Sequence, residues 1–321
     1  MTRRGFLLAA GALAAPLAVR AQRGVPRVGA IVYSATYKPI FDGLRAGLKE
    51  LGLQEGRHLT LDLHDAGGEP KSIENAARRF EAEGVALIYS ITTTATRLIK
   101  RSSSRVPVVF CVGTDPSHTG LVDSYARPGG RFTGVHYLTA DLTAKRLELL
   151  KEALPKLSRV LTFYNPGNPT AQESSRNARE ACGKLGLKLI ERHVGSEAEL
   201  RAGLDALRHG DADAYLILSD ALVTGRAQLI IDRALAIRMP TIMYDQSLAE
   251  RGALLSYGVD THEVGRQSAQ YVQRVLGGAR PSDLPVENVT RLIFAFNRRT
   301  AQAIGVKVPP AMLVRFDRVI D

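Results

Sequence analysis

Two short stretches carry residue types able to do chemistry. "FCVGTDPSHTG" (residues 110–120) sets Asp115 three residues before His118, among the hydroxyls of Thr114, Ser117 and Thr119. "RMPTIMYDQS" (238–247) carries Asp245 after a similar apolar run. An Asp–His pair can serve as acid and base, and either residue can ligate a metal. A loop of this kind can equally cradle a solute that is held and not transformed. His118 has no second metal-type ligand near it in sequence, so a metal site there has little support. The chain contains no H-E-x-x-H, no G-x-S-x-G, no Walker A and no strand-end G-x-G-x-x-G.

These loops need elements to position them. Short β-branched runs at 27–33, 58–64, 85–89 and 106–112 alternate with amphipathic stretches at 39–51, 71–83 and 94–101. Strands apolar on both faces and alternating with helices predict a parallel sheet covered on both sides. The pattern then restarts, with strands at 159–164, 187–192, 214–218 and 241–244 and helices at 170–185, 197–208 and 222–237. The halves correspond in register. Tyr33 and Tyr164 each end a first strand, Ser90 and Ser219 each follow a third, and Pro107 and Pro240 each open a fourth. A spacing near 131 residues is too long for a solenoid repeat and fits two similar lobes.

Beyond them come a strand at 253–258, a helix at 261–276, a break at Gly277-Gly278 and Pro281, a strand at 289–296 and two terminal helices. Two lobes with returning segments predict a chain that crosses between lobes more than once. The fold class is therefore α/β, two doubly wound lobes, each a parallel sheet flanked by helices, joined by a multi-crossover hinge. Lobe 1 is assigned to 27–137 plus about 254–279, and lobe 2 to about 138–253 plus 280–321.

In open parallel sheets, ligands bind outside the carboxyl ends of the strands. In the first half those ends carry Ser34 and Thr36, then Ser90 and Thr92 to Thr94, then Gly113, Thr114 and Asp115. In the second half they carry Asn165 and Asn168, then Ser219 and Asp220, then Asp245 and Gln246. Two polar rims facing each other would enclose a small polar or zwitterionic solute. The hydroxyls and free N–H groups at the helix start after Thr92 suit a carboxylate. Asp115, Asp220 or Asp245 could pair with an amine, and Thr114-Asp115 with Asp245 would form two halves of a clamp. Each residue alone has a plainer role, as a helix N-cap or turn former.

The 321 residues, 45% apolar and without tryptophan, can fill two cores. The N-terminus, "MTRRGFLLAAGALAAPLAVRAQ", has basic Arg3 and Arg4, an apolar run too short to span a bilayer, and small residues before a cut after Ala21. It reads as an export signal (residues 1–21). "TRRGFL" partly matches the twin-arginine type, and the general secretory route is equally open. A soluble periplasmic protein is expected. Removing Arg3, Arg4 and Arg20 takes the net charge from +11 to +8, with the arginines scattered among 32 acids and no basic block for nucleic acid. Cys111 and Cys182 are too few and too far apart for a zinc site, and both are expected as buried thiols.

The stretches "GLRAGLKELGLQEG", "DAGGEP", "VPVVFCVGTDP", "RFTGV", "FYNPGNP", "SDA", "RGALLSYGVDTHEVGRQSA" and "NRRTAQAIGV" together resemble the periplasmic substrate-binding proteins of ABC transporters of the tryptophan/tyrosine type. The resemblance runs from about Val28 to the C-terminus. It implies the periplasmic binding protein type I fold and capture of a small polar or amino-acid-like, possibly aromatic, solute between closing lobes. It also implies delivery to an ABC permease in the inner membrane, with the chain a monomer, no cofactor, no catalytic residue and no nucleic acid. The ligand-binding set it implies is Ser34, Thr36, Tyr37, Ser90, Thr92, Thr93, Thr114, Asp115, Asn165, Thr170, Asp220 and Asp245. The sequence departs from the relatives' Thr-Asp-Asn at Ser219-Asp220-Ala221, and from their serine at Thr170. Two alternatives stay open: an exported enzyme using Asp115 and His118, and an exported sensor of the same fold.

Overall fold

The computed structural model describes residues 24–137 and 139–321; the export segment at 1–21 lies outside them. Strands β1 (Arg27–Val32), β2 (Thr60–Asp65), β3 (Leu87–Ile91), β4 (Val108–Val112) and β5 (Phe132–His136) pair in parallel in the order β2-β1-β3-β4-β5. Strands β6 (Arg159–Tyr164), β7 (Lys188–His193), β8 (Ala214–Leu216), β9 (Thr241–Met243) and β10 (Leu255–Val259) repeat that order in a second sheet. The shared order is the structural basis of the register correspondence between the halves. β11 (Glu287–Asn288) extends the first sheet beside β5. β12 (Leu292–Asn297), antiparallel to β10, and β13 (Arg318–Ile320) extend the second.

Both sheets are clothed by helices, as apolar strands require. Along β6, Val160 and Tyr164 join one buried cluster while Leu161 and Phe163 join another. That alternation places the two sets on opposite faces of the sheet. In the first lobe, α1 (Lys38–Glu50) opens at Pro39 and turns Ile40, Leu44 and Leu48 inward; α2 (Pro70–Ala82) turns Ile73, Ala77 and Phe80 inward. α3 (Thr93–Ser102) packs on α2. The second lobe carries α4 (Thr143–Ala153), α5 (Pro169–Leu185), α6 (Glu197–Ala206), α7 (Ala221–Thr224), α8 (Ala227–Ala236) and α9 (Gln246–Glu250). α10 (Thr261–Leu276) returns to the first lobe and packs along α1; α11 (Arg298–Ile304) and α12 (Pro310–Leu313) close the chain.

The chain thus crosses between sheets three times, after β5, β10 and β11. The lobe boundaries differ from the expected ones at two places. The strand at 255–259 pairs with β9 and β12 in the second sheet, although 254–279 was assigned wholly to lobe 1. It is the fifth strand of its lobe, as β5 is of the first, so the crossing falls after it. Conversely, residues 287–288, assigned to lobe 2, pair with β5. Five elements were not anticipated: β5, α4, α9, β11 and β13. β5 is short and interrupted by Gly134, whose φ of 150° and closeness to β4 exclude a side chain; a Cβ there would lie 2.0 Å from the Phe110 carbonyl oxygen. Cys111 and Cys182 are both buried free thiols. Among the described residues, no helix is long and apolar enough to cross a membrane.

Candidate functional site

The carboxyl ends of the two sheets face each other across a cavity of about 50 Å³. The first lobe contributes Tyr37 after β1, Thr92 to Thr94 after β3, Gly113 after β4, and Tyr137 and Thr139 after β5. The second contributes Asn168 and Thr170 after β6, Ser219 to Ala221 and Thr224 after β8, and Tyr244 after β9. A second hollow of about 320 Å³ shares Thr94, Asn168, Asp220 and Ala221 with it, and adds Tyr33, Asn165, Arg97 and Arg101. The two adjoin along those shared residues.

Thr92 is the N-cap of α3. Its hydroxyl accepts from the Ala95 amide at 3.2 Å, and its amide donates to the Cys111 carbonyl at 3.0 Å. Its backbone sits at φ 90°, ψ 150°, a region essentially reserved for glycine. Strain of this kind costs about 1–3 kcal/mol and persists only where the surroundings over-determine it. Here it turns β3 sharply enough to aim the start of α3 into the cleft. No acid occupies the first turn of α3, while Lys100 and Arg101 occupy its last, so its positive end is left for an anion. The Thr93 and Thr114 hydroxyls are 2.9 Å apart. At Gly113 a Cβ would lie 2.5 Å from the Thr139 hydroxyl, so only glycine fits beneath it.

Tyr37, Tyr137 and Tyr244 are buried, and burial pushes each phenol up from its ordinary pKa, leaving all three neutral. Tyr37 of the first lobe lies beside Tyr244 and Thr224 of the second. Further contacts join the lobes: the Thr36 hydroxyl donates to the Gly225 carbonyl at 3.3 Å, and Arg226 Nη2 donates to the Gly67 carbonyl at 2.7 Å. The lobes are closed on each other.

Asp220 is spent on the chain. Its Oδ1 accepts from the amides of Leu222 (2.8 Å) and Val223 (3.2 Å) at the start of α7, and its Oδ2 accepts from the Asn165 amide at 2.7 Å. Burial raises its pKa against the opposing pull of those donors. It shapes the second rim and keeps the Asn165 turn on it.

Of the expected residues, Tyr37, Thr92, Thr93, Thr170 and Asp220 line the main cavity, and Asn165 lines the adjoining hollow. Ser34 and Thr36 lie at the lobe interface against Gly225. Ser90 is buried, its hydroxyl 2.8 Å from that of Thr96. Thr114 and Asp115 line a separate hollow of about 280 Å³ with His118, Asp141, Glu173 and Arg176. Asp245 is buried at the start of α9, its Oδ1 accepting from the Ser247 amide at 2.8 Å. Neither carboxylate of the expected Asp115–Asp245 clamp is among the residues that line the main cavity. Asp115 Oδ1 accepts from Ser117 (amide 2.8 Å, hydroxyl 2.6 Å) and the His118 amide (3.0 Å), closing a turn. Among the described residues, no three His, Cys, Asp or Glu side chains are grouped as metal ligands.

Tyr137, Thr139 and Thr224 are wall residues outside the expected set. The first two follow β5, which the sequence pattern does not announce. Thr224 faces the cleft because the stretch expected as one helix at 222–237 breaks into α7 and α8. The break follows Gly225, whose Cβ would press on the Ala221 carbonyl (2.9 Å) and the Ser34 hydroxyl (3.1 Å).

Two doubly wound lobes of one strand order, joined by three crossings and closed over a polar and aromatic cavity, define a two-lobed binding protein of the periplasmic type I fold. The family model described as "ABC transporter substrate binding protein" matches residues 27–320, and the chain belongs to that family. It is 24% identical over 266 residues to a tyrosine-binding protein of Clostridioides difficile (strain R20291), covering 83% of this chain and 76% of that one. A conserved domain protein from Vibrio cholerae superposes with a TM-score of 0.84 at 28% identity, covering 92% of this chain and 100% of that one. An ABC domain from Streptococcus pneumoniae, solved in complex with L-Trp, has a TM-score of 0.83 at 22% identity, with the same coverages.

Proposed function

We propose that the chain is the exported solute-binding component of an ABC importer, and that it holds an amino-acid-like solute between its lobes without transforming it. The start of α3 receives the carboxylate: the amides of Thr93 and Thr94, ahead of the capped Ala95 amide, stand at the positive end of the helix and are unopposed by any acid in that turn. Tyr37, Tyr137 and Tyr244 offer neutral ring surface for the solute's body. The observation that carries the reading is that Tyr37 and Tyr244, one from each lobe, lie side by side in the wall of one cavity. A solute touching both binds the closed state better than the open one, so binding favours closure. The L-Trp complex and the tyrosine-binding relative support an aromatic solute. Family membership supports periplasmic residence after removal of residues 1–21 and partnership with an inner-membrane permease.

Catalysis at Asp115 and His118 is disfavoured. Burial acts to raise the Asp115 pKa, but Ser117, the His118 amide and Tyr125 hold it down at about 2, a poor base.

Isothermal titration of protein refolded from denaturant, against tyrosine, tryptophan, phenylalanine and non-aromatic amino acids, tests the proposal. Binding of at least one aromatic amino acid tighter than about 100 μM is expected, since typical pockets of this kind yield several kcal/mol per ligand. Absence of binding across the panel overturns it.

A further inference from the structure

Arg146 on α4 is the largest side chain wholly removed from solvent. Buried cations are ordinarily matched by a carboxylate, because an isolated charge taken out of water is costly. Among the described residues Arg146 has none. Its Nε donates to the Tyr257 carbonyl at 2.7 Å and its Nη1 to the Thr139 carbonyl at 3.2 Å, while Nη2 has no partner. Among the described residues, the ionisable groups that bear on it are the phenols of Tyr244 and Tyr257, and burial keeps the Tyr244 phenol neutral. Burial lowers its pKa to about 10, so it stays charged there.

Its position gives the charge a use. Thr139, held by Nη1, and Tyr244 are both walls of the main cavity. The guanidinium therefore stands one layer behind the cleft wall, with little but protein between it and the space the solute fills. Low-dielectric surroundings let such a charge act over several ångströms.

We infer that Arg146 is a positioning residue that gives the cleft its preference for a solute bearing a carboxylate, whose negative charge completes the unmatched buried cation. The inference rests on the reading of the cleft as an amino-acid site. It adds to the α3 terminus a second, permanent source of positive potential, set behind Thr139. A merely bracing role, tying α4 to residue 139 and to β10, would leave charge selectivity untouched.

The test compares acid and amide forms of the same solutes: L-tyrosine with L-tyrosinamide, L-tryptophan with L-tryptophanamide, and L-phenylalanine with L-phenylalaninamide. Wild-type protein should bind each acid it recognises at least about ten-fold tighter than its amide. Arg146→Lys should keep that preference. Arg146→Gln, neutral but still able to donate to the Tyr257 carbonyl, should reduce it to about two-fold or less. The preference in wild-type protein should survive about 0.5 M sodium chloride, which screens the exposed Arg97 and Arg101 but not a buried charge. An undiminished preference in Arg146→Gln overturns the inference and leaves the solute-binding reading standing. Should Arg146→Gln fail to fold, a wild-type preference that collapses in salt, or equal binding of acid and amide, overturns it as well. Failure of wild-type protein to bind any acid or amide of the panel overturns both readings together.

Discussion

Arg226 of the second lobe reaches across the cleft mouth and donates from Nη2 to the Gly67 carbonyl of the first at 2.7 Å. It is pre-set for this. Glu197 on α6 takes its Nε at 2.5 Å, fixing the guanidinium before closure. Gly67 and Gly68, both with positive φ, turn the acceptor outward, and a Cβ at Gly68 would stand 3.2 Å from Nη2. The contact exists only when the lobes are shut, so it contributes to the closed state alone. A single hydrogen bond of this kind is worth about 0.5–1.5 kcal/mol. Arg226→Ala is expected to weaken solute binding by about two- to ten-fold, through faster release with little change in association rate. Stopped-flow fluorescence with a bound aromatic amino acid reads both rates; an unchanged release rate excludes the latch.

Thr92 stores strain in the service of the site. Thr92→Ala removes the cap to Ala95 and keeps the unfavourable backbone, so it should lose about 1 kcal/mol of stability. Thr92→Gly removes the same cap but relieves the strain, and should stay within about 1 kcal/mol of wild type. Thermal melts rank the two. An alanine variant more stable than the glycine variant contradicts the strain.

The lobe pairing was legible because the sequence repeats chemical landmarks at fixed offsets: Tyr33 with Tyr164, Ser90 with Ser219, Pro107 with Pro240. These sit at strand ends, where a turn or a ligand constrains residue type more tightly than general hydrophobicity does. The crossings were less legible. β10 at 255–259 reads as an apolar strand whichever sheet it joins, since local pattern carries no address. The cavity wall was half readable. Thr92, Thr93 and Tyr37 follow strands with clear apolar runs, whereas Tyr137 and Thr139 follow β5, where Gly134 and Thr133 blur the strand signal. Asp115 and Asp245 were ambiguous in the sequence for one physical reason. An aspartate beside a helix or turn start serves its own backbone as readily as a ligand, and the choice depends on which way the carboxylate is taken by nearby amides.

The returning helix is tied down at a point where backbones touch. A Cβ at Gly265 of α10 would lie 1.8 Å from the Ile40 carbonyl oxygen, and one at Gly43 of α1 would lie 1.9 Å from the His262 carbonyl oxygen. No rotamer relieves a Cβ clash with backbone. Gly265→Ala is expected to separate the helices and destabilise the fold by about 3 kcal/mol or more, above the usual range for overpacking. Chemical denaturation measures it. A loss below about 1 kcal/mol would show that α1 and α10 can slide apart freely.

Acid stability follows from Asp115. Its folded-state pKa, about 2, lies below the ordinary carboxylate value, so the folded state prefers the ionised form. The stability it contributes is present in full above about pH 4 and is lost as pH falls through about 2. The side chain is partly exposed, so the contribution is about 1 kcal/mol after solvent screening. Asp115→Asn should therefore lower stability at neutral pH by that amount and flatten its decline between about pH 4 and 2. Parallel pH titrations of the melting temperature are the check; identical slopes for variant and wild type remove Asp115 from the account.

The two candidate rims make opposite demands on a paired substitution. Thr93 lines the main cavity, and its hydroxyl meets that of Thr114 at the positive end of α3. Thr93→Val keeps the shape but deletes a donor at the point where a carboxylate would sit. A hydrogen bond to a charged group contributes about 1.5–3 kcal/mol, so binding of an amino acid should weaken by at least about ten-fold. Asp115, by contrast, faces a separate hollow, with Oδ1 already taken by Ser117 and His118. Asp115→Ala should alter solute affinity by less than about three-fold, since no contact to the cleft is lost. Titration calorimetry on both variants decides between the rims. If Asp115→Ala were the more damaging, the solute would occupy the hollow beside His118, Glu173 and Arg176, and the tyrosine-lined cavity would be only the seam along which the lobes meet.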